Sequence, residues 1–179
     1  PCECYHCHVK NSQDRSQDLS KTKTLEVIED IIDADFLVLF FVGGEPLSAF
    51  DDLVEYLKSA KGRIDTRIFT SGVGVTLERL KILKEAGLEG ICVSIDHTDE
   101  EVHNKQRKHN LAFKNACFTI SEASKLGLYV SAVCCTTSEM VESGEYKNVV
   151  DLAESLGAHS IQLNEIRPVG RANESNDST

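Results

Sequence analysis

The stretch FLVLFFV, Phe36 to Val42, strings together seven apolar residues without alternation and runs directly into GGEP, Gly43 to Pro46. A half-exposed strand alternates, so an unbroken run predicts a strand buried on both sides, in a sheet covered by helices on each face. The run is far shorter than the roughly 20 helical residues needed to span a bilayer. Its flanks supply the helices. From Thr24 onward, Leu25, Ile28, Ile31 and Ile32 share one helical face. Beyond GGEP, Ser48 stands where a cap belongs, ahead of an apolar stripe of Phe50, Leu53, Val54 and Leu57.

The unit then recurs. A strand around Arg67–Phe69 ends in TSG, and Thr76 opens a helix carrying Leu77, Leu80 and Leu83 that stops at Gly87. The strand GICVSID, Gly90 to Asp96, leads into a polar, acidic and then basic stretch. A helix with Phe113, Ala116, Ile120 and Ala123 follows and ends at Gly127. YVSAVCC, Tyr129 to Cys135, is paired with a helix of Tyr146, Val149, Val150, Ala153 and Leu156. SIQLNEI, Ser160 to Ile166, is the last strand, and RANESNDST reads as a polar tail. The polar segment NSQDRSQDLSKTK, residues 11–23, reads as a loop.

Five strands alternating with helices imply parallel pairing through right-handed crossovers, hence an α/β fold. Two architectures fit: an open doubly wound sheet, or an arc of a TIM-like barrel. Both place their chemistry at the carboxyl ends of the strands. Polar residues gather there: Glu45, Thr70 and Ser71, Ser94 and Asp96, Thr136 and Thr137, Asn164 and Glu165.

A net charge of −10 would repel a phosphate backbone, which argues against a nucleic-acid binder. The small basic cluster of Lys105, Arg107, Lys108 and His109 reads as a solvated face. Seven cysteines is an odd number; three lie within PCECYHCH, while Cys92, Cys117, Cys134 and Cys135 sit in apolar surroundings. That usage fits a reducing compartment, with one ligand cluster and several buried thiols, better than a disulfide scaffold.

CYHC, Cys4 to Cys7, is a C-x2-C turn that lets both sulfurs face one metal. Alone it serves zinc, redox disulfides and iron–sulfur clusters alike. In GGEP, two glycines let a ligand approach the backbone closely, Glu45 offers an acceptor to a cationic group, and Pro46 sets the turn into a helix.

CxxC, GGEP, TSG, VSID, EVHNKQR and RPVGRA, in this order, resemble the radical S-adenosylmethionine (SAM) enzymes across nearly the whole chain. The closest likeness is to the branch with a carboxyl-terminal extension for auxiliary clusters (SPASM-type). The resemblance implies a partial TIM-like (β/α)6 barrel over residues 1–171, lacking its first strand, with residues 172–179 leading towards an extension. It implies a four-iron, four-sulfur cluster held by Cys4 and Cys7, with the family's first cysteine expected one residue before Pro1. Cys2 is at a different spacing. It further implies that Gly43, Gly44, Glu45 and Pro46 meet the methionine amino group of SAM. Ser94 and Asp96 would meet the ribose or carboxylate end, and Arg107 the carboxylate. The expected chemistry is reductive cleavage of SAM and hydrogen abstraction from a small-molecule or peptide substrate, in maturation of a peptide, protein or cofactor. A flavodoxin- or ferredoxin-like reductant and a cytoplasmic location belong to the same expectation, with no nucleic acid and no membrane.

The chain departs from the family pattern at His97, where glycine is usual after SID, and at Lys108, where glycine usually follows the arginine. Val133, Cys134 and Cys135 replace an asparagine–threonine run. Five parallel strands do not close a barrel, and a long apolar edge invites pairing, so the expectation is the middle of a longer enzyme. A rival reading is a zinc-stabilised binding or scaffold module using Cys2, Cys4, Cys7 and a histidine. A third is a barrel enzyme without its cluster.

Overall fold

The computed structural model describes residues 2–7, 18–167 and 169–173. The element order is α1 (Lys21–Asp33), β1 (Val38–Phe41), a 3-10 turn (Pro46–Ala49), α2 (Phe50–Ala60), β2 (Asp65–Thr70), α3 (Leu77–Ala86) and β3 (Gly90–Ser94). Then come α4 (Glu100–Arg107), α5 (Ala112–Lys125), β4 (Tyr129–Thr136), α6 (Ser138–Ser143), α7 (Tyr146–Ser155), β5 (Ser160–Glu165) and a 3-10 turn (Gly170–Asn173). Of the loop expected over residues 11–23, residues 11–17 lie outside the described residues, and Lys21 onward is helical.

All neighbouring strands pair in parallel, in the order β1-β2-β3-β4-β5. This order decides between the two architectures. A doubly wound sheet reverses its strand order at a switch point, whereas a barrel adds each strand beside the last. The chain is therefore an arc of a (β/α) barrel. Register runs continuously across it, from Phe41 opposite Ile68, to Ile68 opposite Ile91, to Ile91 opposite Val130.

The inner strands carry the core. Ile68, Ile91, Val93, Val130 and Ala132 are fully buried against Leu57, Leu80, Leu83, Ala116, Ile120 and Val149 of the helices. On β2 the alternation is strict, with Thr66, Ile68 and Thr70 buried and Asp65, Arg67 and Phe69 less so. Across that second face Phe40 packs on Phe69 and the Arg67 guanidinium lies 4.5 Å over the Tyr129 ring.

Several expectations are corrected. FLVLFFV is not buried on both sides: Phe36 is 62% exposed and Leu37 84%, and Phe40 and Val42 are exposed as well. Among the described residues β1 is an edge strand with β2 as its one partner, and of this run Leu39 and Phe41 pack against Ile28, Ile64 and Tyr56. Ser48 does not cap α2. It lies inside the 3-10 turn and donates to the Glu45 carbonyl, while the Glu45 side chain caps that turn and α2 begins without a side-chain cap. The polar stretch after Asp96 contains α4, capped by Asp99, whose carboxylate accepts from the Glu101 and Val102 N–H groups. Arg107 does not belong to a solvated face; it is buried. The start of the supposed tail is a 3-10 turn with Ala172 buried. Thr76 and Gly87 cap α3 as expected.

Gly72, in the TSG turn after β2, has φ +80°, and a Cβ there would meet the Asn115 carbonyl oxygen of α5 at 2.8 Å. Gly74 has φ +83°, but its nearest neighbour would be the flexible Arg79 side chain at 3.5 Å. Gly72→Ala is therefore expected to cost about 2–4 kcal/mol, combining backbone strain with overpacking. Gly74→Ala should lose only about 1 kcal/mol from backbone strain. Urea unfolding of both variants checks the order, and equal losses would contradict it.

Candidate functional site

The first described residues, Cys2 to Cys7, fold over the carboxyl edge of the sheet because the end of α4 offers unsatisfied carbonyls. Glu3 N–H donates to the Arg107 carbonyl at 3.2 Å and Tyr5 N–H to that of Gln106 at 3.4 Å. Cys7 N–H closes a turn on the Cys4 carbonyl, and Arg171 N–H donates to the Cys7 carbonyl. The backbone of the cysteine loop is thus fastened from α4 and from the 3-10 turn at Gly170–Asn173.

Below the loop lies a buried ion pair. Asp96, just beyond β3, is fully buried, and Arg107, the last residue of α4, is 7% exposed. Arg107 Nε donates to Asp96 Oδ2 at 2.5 Å and Nη2 to Oδ1 at 2.7 Å; the Cys135 N–H adds a bond to Oδ1 at 2.9 Å. Burial opposes the carboxylate's charge, but the Arg107 guanidinium overrides it and holds Asp96 below its ordinary range. Burial likewise opposes the charge on Arg107, which Asp96 secures. The remaining edge of the guanidinium reaches Cys4, with Nη1 3.7 Å from Sγ. His103, fully buried, accepts the Asp96 N–H on Nδ1 at 3.1 Å, and its Nε2 has no hydrogen-bond partner. Burial pushes His103 and His6 down to about 4, so both rings are neutral at physiological pH.

A second clasp holds GGEP. The buried Glu45 carboxylate accepts from Thr70 Oγ1 at 2.7 Å, Ser71 Oγ at 2.7 Å and Ser71 N–H at 3.0 Å. Both its oxygens are occupied by the end of β2. Gly43 and Gly44 stay exposed, and nothing lies within 4 Å of a Cβ built on Gly43, whose φ is +146°. Pro46 starts the 3-10 turn and Ser94 is half-buried at the end of β3.

Among the expected residues, Cys4, Asp96 and Arg107 therefore form one contact group, and Glu45, two strands away after β1, forms another. Cys2 joins them: the hydrogen bond with Cys4 pushes its thiol down to about 6 against the effect of burial, with help from Ser71. The same bond and burial push Cys4 up. Cys135, which the sequence puts in apolar surroundings, sits at the site, with its sulfur, an Asp96 oxygen and a His6 nitrogen all within 4.8 Å of one another. Burial pushes its thiol up to about 12. Thr70 and Ser71 were marked only as polar residues at a strand end; their service to Glu45 has no signal beyond that position. His8 lies outside the described residues.

Three thiols on one fastened loop, with the buried His6 Nδ1 left without a partner, form a soft donor set that fits an iron–sulfur cluster. Beside it opens a cavity of about 770 Å³, lined by Tyr5, His97, Gln106, Thr137, Glu145 and Ile166 among others. That volume suits a nucleoside-sized ligand.

Residues 3–155 match the family model described as the Radical SAM superfamily. Over 167 residues, 91% of this chain, it is 29% identical to a PqqA peptide cyclase of Methylocella silvestris, of which it covers 43%. Over 177 residues, 97% of the chain, it is 26% identical to an AdoMet-dependent heme synthase of Methanosarcina barkeri, covering 50%. Among solved structures, Streptococcus suis SuiB bound to S-adenosylmethionine aligns with a TM-score of 0.79 at 16% identity, over 99% of this chain and 39% of that one. Methylornithine synthase (PylB) aligns with a TM-score of 0.79 at 14% identity, over 100% of this chain and 54% of that one. The chain spans about half the length of the curated relatives it matches. The structural likenesses show the same partial barrel.

His103 gives the fold a measurable dependence on pH. Its folded value near 4 lies below the roughly 6.5 of an unfolded chain, so between those values the unfolded state binds more protons. Stability should therefore fall as pH drops from about 6.5 towards 4. His103→Gln should flatten that slope relative to wild type in urea titrations across the window. Identical slopes would show that His103 does not stay neutral.

Proposed function

Because the chain belongs to the radical SAM superfamily, we propose that it is the catalytic core of an enzyme that cleaves SAM reductively and abstracts hydrogen from a substrate undergoing maturation. The observation that carries this reading is the meeting of Cys4, Arg107 and Asp96 at the carboxyl edge of a barrel arc, beside the clasped GGEP turn. When bound, a four-iron, four-sulfur cluster and SAM supply a 5′-deoxyadenosyl radical by one-electron cleavage of the sulfonium carbon–sulfur bond.

The chain's own residues bind and orient. Cys4 and Cys7 would hold iron, with Cys2 a third thiol on the same loop. Gly43 and Gly44 present bare backbone to the methionine end. Glu45 acts by pinning that turn to Thr70 and Ser71, and it leaves anionic charge beside an amino group. Ser94 is accessible to the ribose or carboxylate end. Asp96 is fully buried and paired with Arg107 and would act through that residue, whose N–H groups beyond the Asp96 and Cys4 bonds would meet a carboxylate. The cavity beside Tyr5 and Thr137 would take the nucleoside end.

A peptide or a small cofactor precursor is the substrate class, supported by the likeness to a PqqA peptide cyclase and to SuiB, which has been crystallised with its precursor peptide SuiA. The likeness to the cyclase, a relative of the SPASM branch, also supports an auxiliary-cluster extension in the whole protein. An electron donor of the flavodoxin or ferredoxin kind and a cytoplasmic location complete the proposal. Among the described residues no helix is long and apolar enough to cross a membrane. The zinc module is set aside because the family match runs far beyond the Cys/His cluster.

The full-length protein, reconstituted anaerobically with iron and sulfide, should hold both in equal amounts and form 5′-deoxyadenosine from SAM with a strong reductant. Cys4→Ala and Cys7→Ala should each abolish product. Tightly bound zinc without acid-labile sulfide would overturn the reading.

A further inference from the structure

Arg107 grips the cysteine loop twice. Its carbonyl accepts the Glu3 N–H, and its side chain points Nη1 at Cys4 Sγ from 3.7 Å. The guanidinium has little freedom to turn away. Asp96 holds Nε and Nη2 in a fork, and Asp96 is itself fixed by the Cys135 N–H on its carboxylate and by His103 on its backbone. One edge of the plane is spent on a carboxylate, so the other is directed at sulfur.

We propose, resting on the iron–sulfur reading above, that Arg107 sets the reduction potential of the cluster by donating an N–H···S hydrogen bond to the Cys4 ligand. Hydrogen bonds to ligand sulfur draw charge from it and favour the more negative, reduced state, which raises the potential. Asp96 cancels much of the cation's field at short range. The directed N–H therefore carries the effect more than the net charge does. That separates arginine from lysine, whose ammonium is a point charge without a second edge.

The test is a redox titration of the full-length, cluster-loaded protein followed by electron paramagnetic resonance. Arg107→Lys should load iron and sulfide as wild type does, yet show a lower midpoint. At a fixed potential its ratio of reduced to oxidised cluster should fall about tenfold, a shift of about 59 mV for one electron. Equal loading with an unchanged midpoint overturns the inference alone. A wild-type protein without sulfide overturns the iron–sulfur reading and this inference with it.

A second measurement leaves position 107 untouched. It uses the Arg171→Lys enzyme grown on arginine labelled with 15N in the guanidinium, because among the described residues Arg171 is the other arginine bonded to the loop. Pulsed resonance should detect a 15N coupling to the reduced cluster. Its absence overturns the hydrogen bond, whatever Arg107→Lys does.

Discussion

The carboxylate of Asp96 is the point on which the site is hung. It lies out of reach of solvent, and a lone carboxylate there would be driven to neutralise or to unfold its surroundings. Arg107 compensates it with two charge-assisted hydrogen bonds, the strong kind. Removing either partner would leave the other charged and buried, a loss of about 3–5 kcal/mol in comparable cases. The pair does more than balance charge. Asp96 follows β3, Arg107 ends α4, Cys135 belongs to β4, and Cys4 touches the guanidinium, so four separate segments share one bonding geometry.

The sheet order explains why such a geometry is available. In a parallel arc every strand ends at the same edge, and every helix begins or ends near it. Two acidic residues, Glu45 after β1 and Asp96 after β3, each take bonds from neighbouring segments, Glu45 from the end of β2 and Asp96 from Arg107 of α4. Next to Glu45 the glycines of GGEP remain exposed. Polar side chains are used to fix the frame, and exposed backbone is left for the ligand. Such division of labour suits a site that must place a cofactor rather than supply a strong acid or base.

How legible this was depended on how local each cause is. The strand GICVSID stood out because it is central and nearly fully buried, so apolar content and structure agree. The arc itself needed the strand order, which no local pattern contains. FLVLFFV misled for the opposite reason: an edge strand in an open arc exposes apolar residues that composition alone assigns to a core. α4 was hidden because all its side chains but Val102 are polar, although Asp99 before Glu100 is a cap signal. Arg107 looked solvated among Lys105, Lys108 and His109. Only its distant partner, 11 residues back across a loop, explains its burial. The motif residues were legible as a set, whereas their bonds to Thr70, Ser71, His103 and Cys135 depend on the register of neighbouring strands.

Charge is the last constraint that ties the site together. The whole chain carries −10, and the cysteine loop lies against the Asp96–Arg107 pair, where thiolates would add more negative charge. The two nearby imidazoles do not help, because burial keeps His6 and His103 neutral. Compensation therefore falls to guanidinium groups, which stay charged however deeply they are buried. Arg107 meets Cys4 directly. Arg171 meets the Cys7 carbonyl through its backbone and keeps a buried Nη1 without a hydrogen-bond partner. A buried guanidinium N–H without a partner is costly unless an anionic group comes to it. Arg107 and the unpaired Arg171 Nη1 are thus the buried donors of this frame that an anionic group would satisfy.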